Sequence, residues 1–328
     1  MKKNRIWISV LVLAFSIGLL FGCGNADTVE GKNEEKISIV CTIFPQYDWV
    51  KQVIAGQEER FDVTLLLDNG TDLHNYQPTA SDMVKIADCD VLIYVGGESD
   101  EWVEDAIEEA VNPNMQVIDM MEILGDSVKE EEVIEGMQAE EEHEEEEEET
   151  EYDEHIWLSL KNAEVLVKEI AQVIAKVDTE QATGYISSGE TYAKALSDLD
   201  AQYENTVETA KKSALLFGDR FPFRYLVDDY QLSYYAAFVG CSAETEASFE
   251  TVAFLAGKMD ELDLSSVLVL ESSDKKIAQS VIDNTKKKDM EILTLNSMQS
   301  VTEKDVAAGV TYLGIMKDNL DVLKQALN

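Results

Sequence analysis

Two α/β lobes with parallel sheets and a long helix between them are the architecture the sequence predicts, and three observations carry the prediction. Strand-like apolar runs alternate with helical stretches over residues 36–118, the same alternation returns over residues 214–295, and a long helical face lies between the two. Strands separated by helices of ordinary length imply βαβ units, here two Rossmann-like sets. A chain of 328 residues is long enough for two domains of the usual size even after a leader is removed.

Lys36 to Thr42 (KISIVCT) reads as a first buried strand, followed by the turn at Phe44-Pro45 and a helix over Tyr47 to Ala55. Val63 to Leu67 reads as a second strand, ending in the Asn69-Gly70 turn just before His74. Thr79 to Asp88 is helical, with Thr79 or Ser81 able to cap it. Val91 to Val95 is a third strand stopped by Gly96-Gly97; a helix over Trp102 to Val111 and a short strand over Gln116 to Ile118 follow. Ala163, Leu166, Val167, Ile170, Val173, Ile174 and Val177 share one helical face. A longer face follows through Tyr192, Leu196, Leu199, Tyr203, Val207 and Ala210; about 20 residues of helix reach ~30 Å. In the second half, Ala214 to Phe217, Tyr234 to Val239, Val267 to Leu270 and Glu291 to Leu295 are strands. Ser248 caps a helix over Phe249 to Leu262, and a final helix runs from about Glu303 to Leu327.

The N-terminus has the order of a secretory signal. Lys2, Lys3 and Arg5 are basic, Ile6 to Phe21 are almost wholly apolar, and Gly22-Cys23-Gly24 follows. The apolar run is short for a membrane span, which needs ~20 residues. Leu20-Phe21-Gly22-Cys23 looks like a lipobox, in which Cys23 would carry the lipid and residues 24–36 would form a polar tether. Cys41, Cys89 and Cys241 each lie in an apolar run; an odd, scattered trio reads as buried free thiols and not as a disulfide framework.

The formal charge of −40 excludes nucleic acid as a partner, because phosphate backbones need a basic footprint, and it suits a protein that attracts cations. Residues 130–154 hold sixteen of the acids, including the unbroken run Glu144 to Glu149, and no Lys or Arg. A block of like charge this long repels itself and stays disordered.

Of the three histidines, His74 lies in Thr71-Asp72-Leu73-His74-Asn75-Tyr76-Gln77-Pro78-Thr79 and His155 in Asp153-Glu154-His155-Ile156-Trp157. Both stretches are rich in oxygen donors, and neutral imidazole is the commonest protein ligand for zinc and related metals. Ligands bind beyond the carboxyl ends of the strands in open parallel sheets, and His74 follows a predicted strand end. Taken singly, His74 could be a turn residue and His155 a helix-start residue.

The first segment resembles the His-Asp-Tyr-Glu-Pro-Thr motif of the substrate-binding lipoproteins of zinc and manganese ABC importers. The second resembles that family's Asp-Pro-His-Phe-Trp-Leu motif. The resemblance extends to Phe44-Pro45, Val269-Leu270-Glu271-Ser272 and Asp318-Asn319-Leu320, and so covers nearly the whole mature chain. It implies a receptor and not an enzyme: a monomer, lipid-anchored through Cys23 on the extracytoplasmic face of the cell membrane. Such a receptor binds a divalent metal in an interlobe cleft and delivers it to an ABC permease. It also implies that the long helix joins the lobes, although an ordinary core helix would give the same pattern. The divisions that follow are a signal peptide over 1–22, a tether over 23–36, an N-terminal lobe over 37–178 with the acidic loop at 130–154, a linking helix over 179–211 and a C-terminal lobe over 212–328.

His74 and His155 are the metal ligands that the resemblance implies from the first lobe. The second lobe departs from the family, which carries a His or Glu at the start of its first helix. Aligned backward from Tyr230 to Leu232, Arg220 takes that position, and a guanidinium has no lone pair to donate. Aligned forward from Phe217, Gly218 takes it, and Asp219 becomes the nearest residue able to coordinate; it could equally cap a helix or pair with an arginine. The family's fourth ligand, an Asp, aligns with Asn296, while Glu271 and Glu244 are other acids near strand ends. Two imidazoles with one or two oxygens accept Zn2+ or Mn2+. The acidic run, with one histidine, His143, stands where zinc-binding members carry a His- and acid-rich loop, which favours zinc. Two further functions fit the same residues: a metal-buffering or adhesion lipoprotein without transport, and a zinc hydrolase, which would lack a His-Glu-x-x-His pairing.

Overall fold

Strands buried on both faces read as unbroken apolar runs, and β1 (Ile37–Cys41) is one of them, with Ile39, Val40 and Cys41 all buried. The computed structural model describes residues 36–138, 151–242 and 246–328. The signal segment, the tether with Cys23, the run that holds His143, and Glu244 lie outside the described residues.

After β1 come α1 (Phe44–Val53), β2 (Phe61–Leu65), α2 (Ala80–Asp88), β3 (Val91–Tyr94), α3 (Trp102–Glu108), β4 (Gln116–Asp119) and α4 (Met120–Leu124). The sheet order is β2-β1-β3-β4 and every pairing is parallel; Ile39 lies opposite Val63 on one side and Val91 on the other. Thr79 caps α2 in a reciprocal box with Asp82. Then α5 (Leu160–Val177) and α6 (Ala182–Glu208) pack on each other and on α1. The 27 residues of α6 make a helix ~40 Å long, whose inner face buries Tyr185, Tyr192, Leu196, Leu199 and Tyr203.

The second sheet repeats the first. Its elements are β5 (Ala214–Phe221), α7 (Arg224–Asp229), β6 (Ser233–Val239), α8 (Phe249–Glu261), β7 (Ser266–Val269), α9 (Lys276–Asn284) and β8 (Glu291–Thr294), in the parallel order β6-β5-β7-β8. The register shifts between Phe217 and Arg220, so Gly218 and Asp219 form an irregularity in the middle of β5. Among the described residues no helix is long and apolar enough to cross a membrane.

Three expectations need correction. The single helix expected over 303–327 is two, α10 (Glu303–Ala307) and α11 (Tyr312–Ala326). The Thr311 hydroxyl accepts the Gly314 N–H and starts a new helix, which turns Tyr312 into the first lobe. There the Tyr312 N–H reaches Asp48 at 3.0 Å, its hydroxyl donates to the Trp157 carbonyl at 2.6 Å, and one apolar core runs beneath both sheets.

Secondly, residues 130–154 are not uniformly a self-repelling loop. Glu131 N–H donates to the Glu151 carbonyl at 3.0 Å, Asp153 N–H to Lys129 O at 2.9 Å, and Gln138 N–H to Ala237 O at 2.9 Å. Glu132 pairs with Arg224 at 3.0 Å, and Ile134 and Met137 pack on the core, so residues 130–138 are held by a cation and by apolar anchors. Thirdly, Cys41 and Cys89 are buried thiols as expected, but Cys241 is only half-buried, because it lies in the turn beyond β6 and not within the strand.

Candidate metal centre

The turn after β2 carries the first histidine. Leu73, 1% exposed, anchors a single helical turn over Leu73–Asn75, and the Asp72 carboxylate accepts the His74 N–H at 3.1 Å. His155 begins a second such turn, Ile156–Leu158, whose three residues are all buried. Asp153 accepts the His155 backbone N–H at 2.8 Å, and the Trp157 indole donates to Ser297 O at 2.9 Å, which fastens this turn to the second lobe.

The two turns bring the imidazoles together, their planes tilted by 58°, with His74 Nε2 and His155 Nε2 3.1 Å apart. His155 Nδ1 lies 3.0 Å from an Asp153 oxygen. An ionised carboxylate only accepts, so Nδ1 holds the proton and Nε2 the lone pair. His74 Nδ1 lies 2.8 Å from Ser99 Oγ and 3.4 Å from Glu154 Oε2, a buried oxygen with no hydrogen-bond partner. Donation from Nδ1 to either leaves the His74 Nε2 lone pair pointing at its neighbour. Two lone pairs so close repel unless a cation lies against both. The N···N edge of a tetrahedral zinc site, with Zn–N of about 2.0–2.1 Å, is ~3.3 Å, close to what the pair presents. Carboxylates that hold the far nitrogens of ligating histidines fix their tautomer and raise their basicity.

For His74 the electrostatics agree with this arrangement. Burial pushes His74 down to about 3, helped by the neighbouring His155 and Arg220 and opposed by Asp72, so its ring is neutral. For His155 burial also disfavours the charged ring, but Asp153, Asp72 and Glu154 outweigh it and the net direction is up. Gly97 makes room for the acid behind His74: its φ is +82°, and a Cβ there would stand 2.5 Å from Glu154 Oε1. The site opens on a cleft of about 290 Å³ lined by His74, Ser99, Glu131, Glu154 and Cys241 among others.

Asp219 is not brought to the histidines. One of its oxygens accepts the Arg220 N–H at 2.9 Å and the other the Leu270 N–H at 3.2 Å, so it closes the irregular stretch of β5 and is no helix cap. Successive strand residues point to opposite faces, and it is Arg220 that faces the first lobe. Its guanidinium pairs with Asp72 at 2.6 Å. Asn296 uses its side-chain oxygen on Met298 N–H at 2.8 Å, and Glu271 binds the Ser297 N–H at 2.8 Å and the Ser297 and Ser300 hydroxyls.

Sequence reasoning missed Cys241. Among the described residues, one ring nitrogen each of His74 and His155 and the Cys241 sulfur form a group whose atoms all lie within 4.8 Å of one another. Its place follows from strand order, which the sequence does not display: β2 and β6 hold the same place in two sheets of the same order, and His74 follows one and Cys241 the other.

Asp153→Asn should weaken zinc binding by roughly 10–100-fold while the fold stays intact, since the amide loses the charge that holds His155 Nδ1–H. A chelator-competition titration measures it; an unchanged affinity would show that Asp153 serves only the turn.

The family described as the periplasmic component A of zinc-uptake complexes, ZnuA, matches residues 39–326. The chain is 29% identical over 326 residues to the high-affinity zinc uptake system protein ZnuA of Bacillus subtilis (strain 168), covering 98% of each. It is 29% identical over 331 residues to the zinc-binding lipoprotein AdcA of Streptococcus pneumoniae (strain ATCC BAA-255 / R6), of which it spans 61%. Among solved structures, the Zn(II)-bound ZnuA-like domain of Streptococcus pneumoniae AdcA superposes with a TM-score of 0.68 at 26% identity, over 89% of this chain and 99% of that one.

Proposed function

Since the chain belongs to the family of periplasmic zinc-uptake component A proteins, we propose that it is the extracytoplasmic receptor of a zinc ABC importer, capturing Zn2+ and handing it to a membrane permease. The observation that carries the reading at the level of the site is the pair of Nε2 atoms 3.1 Å apart, each backed by an acceptor on its far nitrogen. We assign His74 and His155 as ligands of one ion. Asp219 takes a structural part, setting the β5 irregularity that aims Arg220 at Asp72.

Residues 37–178 and 212–328 serve as the two lobes and residues 179–211 as their link, with anchoring through a lipid on Cys23. The repeated sheet order supports the division. Zinc enters at the ends of equivalent strands, where both lobes contribute, so the permease can release it by disturbing either lobe. The receptor reading is favoured over buffering, adhesion or hydrolysis by family membership. Zinc uptake by cells carrying the permease tests it: uptake at limiting zinc should require this chain and fail with His74→Ala. Uptake that is indifferent to the chain would leave buffering as the function.

The stretch 139–150, with nine glutamates and His143, is assigned to gathering cations and not to the tight site. Its effect is electrostatic and fades over a Debye length of ~8 Å at physiological ionic strength. Deleting it should leave one tight zinc per chain, remove weak ones, and slow capture at low salt in stopped-flow measurements. Loss of the tight zinc on deletion would place His143 or its glutamates among the ligands.

A further inference from the structure

We propose that the Cys241 thiolate is the second lobe's ligand, completing a two-histidine, one-thiolate zinc site in the place of the oxygen donors expected there. The inference rests on the reading of His74 and His155 as zinc ligands and adds the residue that closes the site from the other side.

Cys241 Sγ lies within 4.8 Å of a nitrogen on each imidazole. The N···S edge of a tetrahedral zinc site, with Zn–S of about 2.3 Å, is ~3.6 Å, so a shift of the thiol by ~1 Å satisfies it. The turn is built for this approach. Val239 pairs with Phe221 at the end of the β5–β6 ladder, and Gly240 follows. A Cβ on Gly240 would stand 3.0 Å from His155 Cε1 and 3.0 Å from Phe221 O, so any side chain there would press on the imidazole and the strand end. Cys241 is then held from both sides: its N–H donates to Glu131 Oε1 at 3.3 Å, and the next carbonyl, Ser242 O, accepts from Arg220 Nη1 at 3.3 Å.

Arg220 thereby acquires a purpose. One guanidinium nitrogen holds Asp72, two residues before His74, and the other holds the residue after Cys241. It clamps the two ligand-bearing turns together while donating nothing to the ion. A thiol that coordinates a dication is deprotonated outright, so the sulfur would bind as a thiolate. Sulfur with two imidazoles is a donor set for zinc and a poor one for manganese, which prefers oxygen. The other two thiols cannot compete: Cys41 and Cys89 are both 0% exposed.

The full-length chain loaded with one equivalent of cobalt(II) tests this directly. The wild type should show a near-ultraviolet thiolate-to-cobalt charge-transfer band, kept in Cys41→Ala and lost in Cys241→Ser and Cys241→Ala. Zinc affinity in the Cys241 variants should fall by more than the roughly 10–100-fold that loss of a partner behind a ligand costs. Cys241→Asp should bind manganese better relative to zinc than the wild type does, a change that a merely structural cysteine would not produce. A cobalt complex that needs His74 but has no thiolate band would overturn the Cys241 assignment and leave the two-histidine site standing. Failure of the wild type to bind cobalt or zinc in a His74-dependent way would overturn both.

Discussion

His74→Ala is expected to reduce zinc affinity by about three orders of magnitude, ~4 kcal/mol of lost coordination. The imidazole is positioned by Asp72 through its backbone and by Ser99 and Glu154 through Nδ1, and its removal takes away the nitrogen that faces His155 Nε2. The fold should persist, because the anchor of that turn is the neighbouring Leu73. His155→Ala is a less clean test: His155 is fully buried, its ring centre is 5.3 Å from that of Trp157, and truncation would also open a cavity. Competition titration against a chelator of known affinity, with circular dichroism as the folding control, reads the effect. An affinity within tenfold of wild type would remove His74 from the site.

Arg220→Met should cost about 2 kcal/mol of stability, seen as a lower urea midpoint with an unchanged slope. Its guanidinium and the Asp72 carboxylate are 15% and 17% exposed and pair at 2.6 Å across the lobes. Removing one partner of a fully buried pair costs ~3–5 kcal/mol, and partial exposure reduces that. Burial works against the Asp72 charge, while Arg220 and His74 beside it hold its carboxyl below the usual range, so the variant strands an anion. Zinc affinity should change by less than it does in His74→Ala, since Arg220 positions turns and does not coordinate. A variant as stable as wild type would reduce the pair to a surface contact.

How much of this was legible in the sequence follows from the kind of signal each element gives. Strands such as Val91–Tyr94 announce themselves because burial on both faces demands an unbroken apolar run. Helix starts at Thr79 and Ser248 are legible because a capping hydroxyl is a local device. His74 and His155 were singled out by the resemblance of their segments to two family motifs, since their oxygen-rich neighbours alone left a turn residue and a helix-start residue open; the structure brings the two rings together. Arg220's pairing with an acid also follows from donor chemistry. Cys241 was not legible: its neighbours to the N-terminal side read as apolar strand, and its role depends on two turns that lie 86 and more residues away in sequence meeting in space. Asp219 and Arg220 are adjacent in sequence yet opposite in direction, and only the register shift in β5 decides which one faces the other lobe. The last helix was misjudged because a Thr-initiated break between two apolar helical periods leaves the period itself almost intact.

The central claim, that one zinc ion sits between the imidazoles of His74 and His155, is tested most directly by anomalous diffraction from zinc-loaded crystals. One strong peak is expected about 2.0–2.1 Å from both Nε2 atoms. A peak held by glutamates of the acidic stretch, with neither histidine within bonding distance, would contradict it.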